Sequence, residues 1–248
     1  MSDAAADQLF LGRQPILDRE QRLHAYELLF RSGSRNFAEV TDGVQATATV
    51  IANAFSELGI EAALGSHRGF INVDEAFLFS DMLELLPRHA VVLEILETVP
   101  PTPAVVERCA ALKAAGFTLA LDDVIQLEPE FADLLALVEI VKVDIQPLSR
   151  VQLMQLVMKL KPLGKQLLAE KVDSREQMEQ CQKLGFSLFQ GYYFAKPTII
   201  AGKKLDHSQL SLMKLMGLLL GDADIEITIE MTARRMAAVS PPGTLVYV

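Results

Sequence analysis

The feature that most restricts this chain is a near end-to-end alternation of short β-rich runs with helical ones. Strands are predicted at Leu11–Ile16, His24–Phe30, Gly69–Val73, Ala90–Leu96, Thr118–Asp123, Ile140–Ile145, Gln166–Val172 and Ser187–Phe194. Most are nearly continuous in apolar character, as strands covered on both faces are. One helix is predicted after the cap-like Thr41-Asp42, with apolar residues at Val44, Ile51, Phe55 and Leu58. Others are predicted near Asp74–Leu86, Thr102–Ala115, Glu130–Leu137, Leu148–Leu160 and Ser174–Leu184, several opening with Ser, Thr or Asp. Eight strands alternating with helices predict an α/β fold, a single TIM-like (β/α)8 barrel. Only Leu17–Leu23 joins the first two strands, and so short a link predicts an antiparallel pair.

The pattern changes after Pro197. Ser208 caps a predicted helix running to about Leu220, and a weaker helical segment follows through Ala238. The barrel is therefore expected over residues 1–200 and a C-terminal helical extension over 201–248. The extension is too short to build its own core.

Composition narrows the partners. The 248 residues are 50% hydrophobic, yet every long apolar run is broken by a charge, so no membrane helix is expected. Met1 to Gln8 has no basic region followed by an apolar stretch, and the expected location is the cytoplasm. A net charge of −9 with no basic run argues against duplex nucleic acid. Cys109 and Cys181 read as buried thiols, and the four histidines show no metal-ligand spacing.

In a barrel, functional groups gather at the C-terminal strand ends. Polar residues fall there on strand after strand: Glu27 and Arg31, Asn72 and Asp74, Glu94 and Glu97, Asp122 and Asp123, Lys142 and Asp144, Glu170 and Asp173, and Gln190. Singly, each is explained as a solvated end or a helix cap. Together, so many carboxylates at one mouth repel unless cations or protons compensate them. Oxygen donors from Asp, Glu and Asn suit Mg²⁺ or Mn²⁺ and not zinc. The pair Asp122-Asp123 is spaced to bridge two ions, the arrangement that clamps a phosphodiester during hydrolysis, with Lys142 and Arg31 neutralising phosphate charge.

From about Phe10 to Pro197 the chain resembles the EAL family of cyclic-di-GMP phosphodiesterase domains. Gln14-Pro15-Ile16 resembles its opening QPI strand, and Glu27-Leu28-Leu29-Phe30-Arg31 its E-A-L-x-R signature with Leu for Ala. Ile71-Asn72-Val73, Leu93-Glu94-Ile95-Leu96-Glu97, Leu121-Asp122-Asp123 and Lys142-Val143-Asp144 are similar to its later strands. Ala169-Glu170-Lys171-Val172-Asp173 stands for A-E-G-V-E, and Gln190 to Pro197 for Q-G-Y-x-x-x-x-P. The resemblance implies metal ligation by Glu27, Asn72, Glu94, Asp122 and Asp123, and catalysis by Glu170 and Lys142. It implies nucleotide contacts from Gln14, Arg31 and Gln190, with Glu97 and Asp173 in support.

Two departures bear on activity. The family follows its aspartate pair with a glycine-rich F-G-x-G-Y-S-S loop, where this chain has Val124-Ile125-Gln126-Leu127-Glu128-Pro129. Asp173 replaces a Glu, and Lys171 replaces a Gly and puts a new cation beside Glu170. The expected function is a regulatory cyclic-di-GMP-binding or protein-interaction module with weak or no phosphodiesterase activity. The alternatives are an active phosphodiesterase producing linear pGpG and, last, an unrelated metal-dependent barrel enzyme. The resemblance also implies a protein partner or a homodimer. Leu11 to Asp18 and Leu210 to Leu220 resemble a subgroup in which a degenerate EAL domain precedes a helical HDOD domain, here truncated. If the motifs are assigned correctly, oxygens of Glu27, Asn72, Glu94 and Asp122 converge at one barrel face; side chains on different faces would refute the assignment.

Overall fold

A computed structural model describes residues 8–32, 64–196 and 198–203. The helices expected after Thr41 and Ser208 lie outside the described residues. Strands β1 (Gln8–Asp18) and β2 (Leu23–Ser32) form an antiparallel pair, as the short Leu17–Leu23 link requires. β3 (Arg68–Val73), β4 (Val91–Ile95), β5 (Thr118–Leu121), β6 (Ile140–Asp144), β7 (Gln166–Glu170) and β8 (Leu188–Phe189) then follow in parallel from β2. β8 closes the ring by pairing antiparallel with Leu17 and Asp18 of β1. The result is a closed barrel of eight strands with an antiparallel first pair.

Helices cover the outside. α1 (Glu75–Leu78), α2 (Pro103–Ala114), α3 (Ala132–Leu137), α4 (Arg150–Leu160) and α5 (Arg175–Leu184) connect successive strands. Asp74, Thr102, Ser149 and Ser174 each accept a bond from a first-turn amide and start their helices. Two expectations are modified. The helix predicted over Asp74–Leu86 is a single turn, α1, followed by a 3₁₀ turn at Asp81–Leu85, because Ser80 caps a second start within the segment. The strand predicted to Phe194 stops at Phe189, where Gly191 turns the chain away. A ninth strand, β9 (Thr198–Lys203), pairs with Gln8–Arg13 of β1. β1 and β2 outrun the parallel strands, and β9 covers the free edge this leaves. No helix among the described residues is long and apolar enough to cross a membrane.

Two apolar layers hold the barrel. One lies between strands and helices and contains residues such as Ile71, Leu93, Leu119, Val141 and Leu167. The other is a floor inside the barrel: Ile16, Ala25, Phe70, Val92, Ala120, Ile140, Leu168 and Leu188, one from each strand. Side chains alternate along a strand, so the residue two positions on from each floor residue also faces inward. On this chain those positions are polar, and the barrel interior changes from hydrocarbon to charge in a single step.

Gly191 fixes the last wall of that interior. Its φ is 155°, and a Cβ there would lie 2.1 Å from the Val172 carbonyl oxygen and 2.3 Å from the Val172 nitrogen. The backbone of the β8 turn packs directly on the chain leaving β7, where Val172 donates to Gln190 O at 3.0 Å. Gly191→Ala is expected to lower stability by about 2–3 kcal/mol, since neither backbone can withdraw without breaking that bond. Urea denaturation measures it, and a change below about 0.5 kcal/mol would show that the two backbones are not locked together.

Candidate functional site

Stepping two residues from each floor position toward the C-terminal mouth gives Gln14, Glu27, Asn72, Glu94, Asp122, Lys142, Glu170 and Gln190. For β1, which runs the other way, the step is backward, and Gln14 pairs with Glu27 across the first hairpin. All are buried except Asn72 and Asp122, which are half-buried. Every metal, catalytic and nucleotide residue expected from the sequence is in this ring except Asp123, and the side chain of Arg31 lies outside the described residues.

Lys142 is the hub, with 1% of its side chain exposed. Its ammonium donates to Glu94 Oε1 and lies 2.9 Å from Asp122 Oδ1, 2.9 Å from Glu170 Oε1 and 3.9 Å from Glu27 Oε2. The amides complete the circle. Gln190 Nε2 donates to Glu27 Oε2 and to Gln14 Oε1 at 3.1 Å, and Asn72 Nδ2 donates to Glu27 Oε1 at 3.5 Å. Gln14 Nε2 in turn holds the Ala195 carbonyl at 3.4 Å.

Four carboxylates thus share one ammonium. Burial pushes the Asp122 carboxyl up to about 9, and the charges of Glu170, Glu27, Asp123 and Glu97 add to the push. Burial also raises Glu170; Lys142 pulls it down, Glu27 adds to the rise, and the net shift is upward.

A second set of groups lies on the rim. At β5, β7 and β8 the residue right after the inward polar one has positive φ: Asp123 at 50°, Lys171 at 56° and Gly191 at 155°. That turn points Asp122 and Glu170 inward and carries their successors outward. Lys171 Nζ donates to Asp123 Oδ1 at 3.0 Å and to Asp144 Oδ2. The sequence placed this cation beside Glu170; the left-handed turn carries it over the rim to Asp123 and Asp144. Burial alone would lower the Lys171 ammonium, but its bonds to Asp144 and Asp123 outweigh that and hold it above the lysine range.

Asp173 is engaged from the side, where Gln146 Nε2 donates to its Oδ2 and Gln177 Oε1 accepts from its backbone N–H at 2.8 Å. Gln146 carried no signal in the sequence, because a lone Gln after a strand has no distinguishing pattern. Glu97 is exposed, two residues past β4. Arg31 sits on β2 in register with Phe10. In the loop after Asp123, Val124 is buried with its N–H on the Lys142 carbonyl at 2.9 Å, and Leu127 packs on the core. Ile125 is 45% exposed, so only part of this segment folds inward.

The donors fit a hard divalent cation. Glu94, Asp122 and Glu170 each offer a carboxylate oxygen within 4.8 Å of the others. Asn72 Oδ1, Glu94 Oε2 and Glu170 Oε2 are buried with no hydrogen-bond partner. Buried anionic oxygens left bare are costly, and an ion that prefers oxygen ligands relieves that cost.

A family model described as EAL domain matches residues 2–197. An uncharacterised protein of Bacillus subtilis, YuxH, is 37% identical over 213 residues, covering 84% of this chain and 52% of YuxH. Cyclic di-GMP phosphodiesterase CdgJ of Vibrio cholerae is 35% identical over 209 residues, covering 83% of this chain and 48% of CdgJ. The chain spans about half the length of these curated relatives. Among solved structures, a manganese and cyclic-di-GMP complex of Klebsiella pneumoniae BlrP1 superposes with a TM-score of 0.64 at 24% identity, covering 79% of this chain and 58% of that one. The PaMucR phosphodiesterase in complex with c-di-GMP does so with a TM-score of 0.62 at 19% identity, covering 82% and 94%. At these identities the structures attest the fold.

The raised Asp122 carboxyl sets a pH dependence. Its folded pKa lies far above the ordinary 3.8, so the folded protein holds a proton that the unfolded chain releases. Stability from this group is therefore complete at low pH and is lost as pH rises toward about 9. A divalent ion replaces that proton, so the rise in Tm produced by Mg²⁺ is expected to grow between pH 6 and pH 9. Thermal denaturation with and without Mg²⁺ checks this, and a rise that shrinks with pH would contradict it.

Proposed function

We propose that this chain, which belongs to the EAL domain family, is a cyclic-di-GMP-binding regulatory domain whose phosphodiesterase chemistry is weak. The observation that carries the reading is the ring of eight inward polar residues, with bare buried oxygens on Asn72, Glu94 and Glu170 beside Lys142. Glu27, Asn72, Glu94 and Asp122 are the residues to hold Mg²⁺ or Mn²⁺, with Asp123 adjoining them. Such an ion supplies Lewis-acid polarisation of a phosphate oxygen. Gln14 on β1, Arg31 on β2 and Gln190 after β8 are the residues we assign to nucleotide contact.

Glu170 is suited to accept the proton of an attacking water. Its Oε2 is buried and unpartnered, and burial raises its pKa, which makes the carboxylate a stronger base. Lys142 keeps Glu170 oriented and offers positive charge to the phosphate.

What argues for slow turnover is the surround. Asp173 is tethered by Gln146 and Gln177, and the loop after Asp123 is anchored by buried Val124. Misplacement by ~1 Å in such a constellation costs about 100-fold in rate. As a regulatory domain the chain acts through a protein partner or a second copy. A second reading, an active phosphodiesterase yielding linear pGpG, is favoured by the 35% identity to CdgJ and by the undamaged inner ring.

Titration of the protein with cyclic-di-GMP, with and without Mn²⁺ and with product analysis of the same samples, separates the two. Saturable Mn²⁺-dependent binding with turnover well below about 1 per second is expected. Turnover at or above that rate establishes the second reading, and no binding in either condition refutes both.

A further inference from the structure

The two lysines at the mouth carry unequal burdens. Around Lys142 stand four carboxylates, Glu27, Glu94, Asp122 and Glu170, with Glu94 Oε2 and Glu170 Oε2 still unpartnered. Around Lys171, among the described residues, stand two, Asp123 and Asp144. Those are met: Asp123 Oδ1 and Asp144 Oδ2 take the ammonium, and Asp144 Oδ1 takes the Gln146 amide at 2.9 Å. Among the described residues, the buried carboxylate oxygens left without a hydrogen bond, Glu94 Oε2 and Glu170 Oε2 among them, all belong to the inner ring.

Lys171 holds this position against its backbone preference. Its φ of 56° is a left-handed conformation in which a Cβ is disfavoured and glycine is at ease. A residue kept at such an angle is kept for what its side chain does. The acidic trio with metal-like spacing is Glu94, Asp122 and Glu170; Asp123, the neighbour that would let the pair bridge two ions, is bonded to Lys171 instead.

We propose that Lys171 is a built-in cation that reserves Asp123 and limits the barrel mouth to a single divalent ion. This rests on the reading of the inner ring as a metal site. It adds a reason for slow hydrolysis, since clamping both the attacking and the leaving oxygen takes two ions. Lys171 is in this sense a residue that sets metal stoichiometry and touches no reacting atom.

The test is Mn²⁺ stoichiometry of the full chain, by equilibrium dialysis and electron paramagnetic resonance, without nucleotide. The parent is expected to bind one Mn²⁺ per chain with a mononuclear signal. Lys171→Gly, which suits the backbone angle, and Lys171→Gln, which keeps the length without the charge, are each expected to bind two and to show a spin-coupled pair. Lys171→Arg retains the charge and is expected to stay at one. Two ions in the parent would overturn the proposal and leave the inner metal site standing. One ion in both neutral variants, with melting curves showing them folded, would overturn it equally. No Mn²⁺ bound by any of the four proteins would overturn the metal-site reading and the proposal together.

Discussion

Lys142 lies on the barrel axis side of β6 with almost no exposure, among Glu27, Glu94, Asp122 and Glu170. Burying a charged group away from water costs several kcal/mol, and removing one partner from such a group leaves the others uncompensated. The arrangement is tolerable only if every strand delivers its residue to the same level, which requires a closed barrel in one register. Closure by β1 against both β2 and β8 is what brings Glu27, from the far end of the sheet, to the ammonium that Glu170 meets from the neighbouring strand. One ammonium does not balance four carboxylates, however. Burial and the neighbouring carboxylates raise the pKa of Asp122, and oxygens are left bare, so the structure that holds this knot together also prepares it for a cation.

The two-residue step from floor to ring explains why so much of the site could be read from the chain. An apolar residue followed two places later by a polar one recurs from β2 to β8, as in Phe70 and Asn72, Val92 and Glu94, Ala120 and Asp122, Ile140 and Lys142, and Leu168 and Glu170. The strand period converts that linear pattern into two stacked rings. What escaped the reading depends on backbone angles, which a residue string does not display. The left-handed turns at Asp123 and Lys171 decide which partner Lys171 meets, and no local pattern gives a lysine a positive φ. Likewise the end of β8 follows from the contact of Gly191 with Val172, a residue on another strand's exit. β9 was missed because it forms only where β1 overhangs the barrel and offers an edge.

Binding and hydrolysis make different demands on this mouth. The proposed nucleotide binding rests on the inner ring, whose amides and carboxylates are mutually bonded and fixed to the strands. The proposed slow hydrolysis rests on the rim, which is occupied by its own contacts: Lys171 with Asp123 and Asp144, Gln146 with Asp173. Under the proposed reading, a whole ring with an engaged rim suits a domain that binds its ligand and hydrolyses it slowly. The family membership and the chain's own departures from the family's motifs are reconciled on that division.

The central claim is that the inner ring is a metal site. Anomalous diffraction from crystals of the full chain grown with Mn²⁺ tests it most directly. The account predicts an anomalous peak bounded by Glu27, Asn72, Glu94, Asp122 and Glu170. Density showing Lys142 alone among those carboxylates, with Mn²⁺ only on the outer surface, would contradict it.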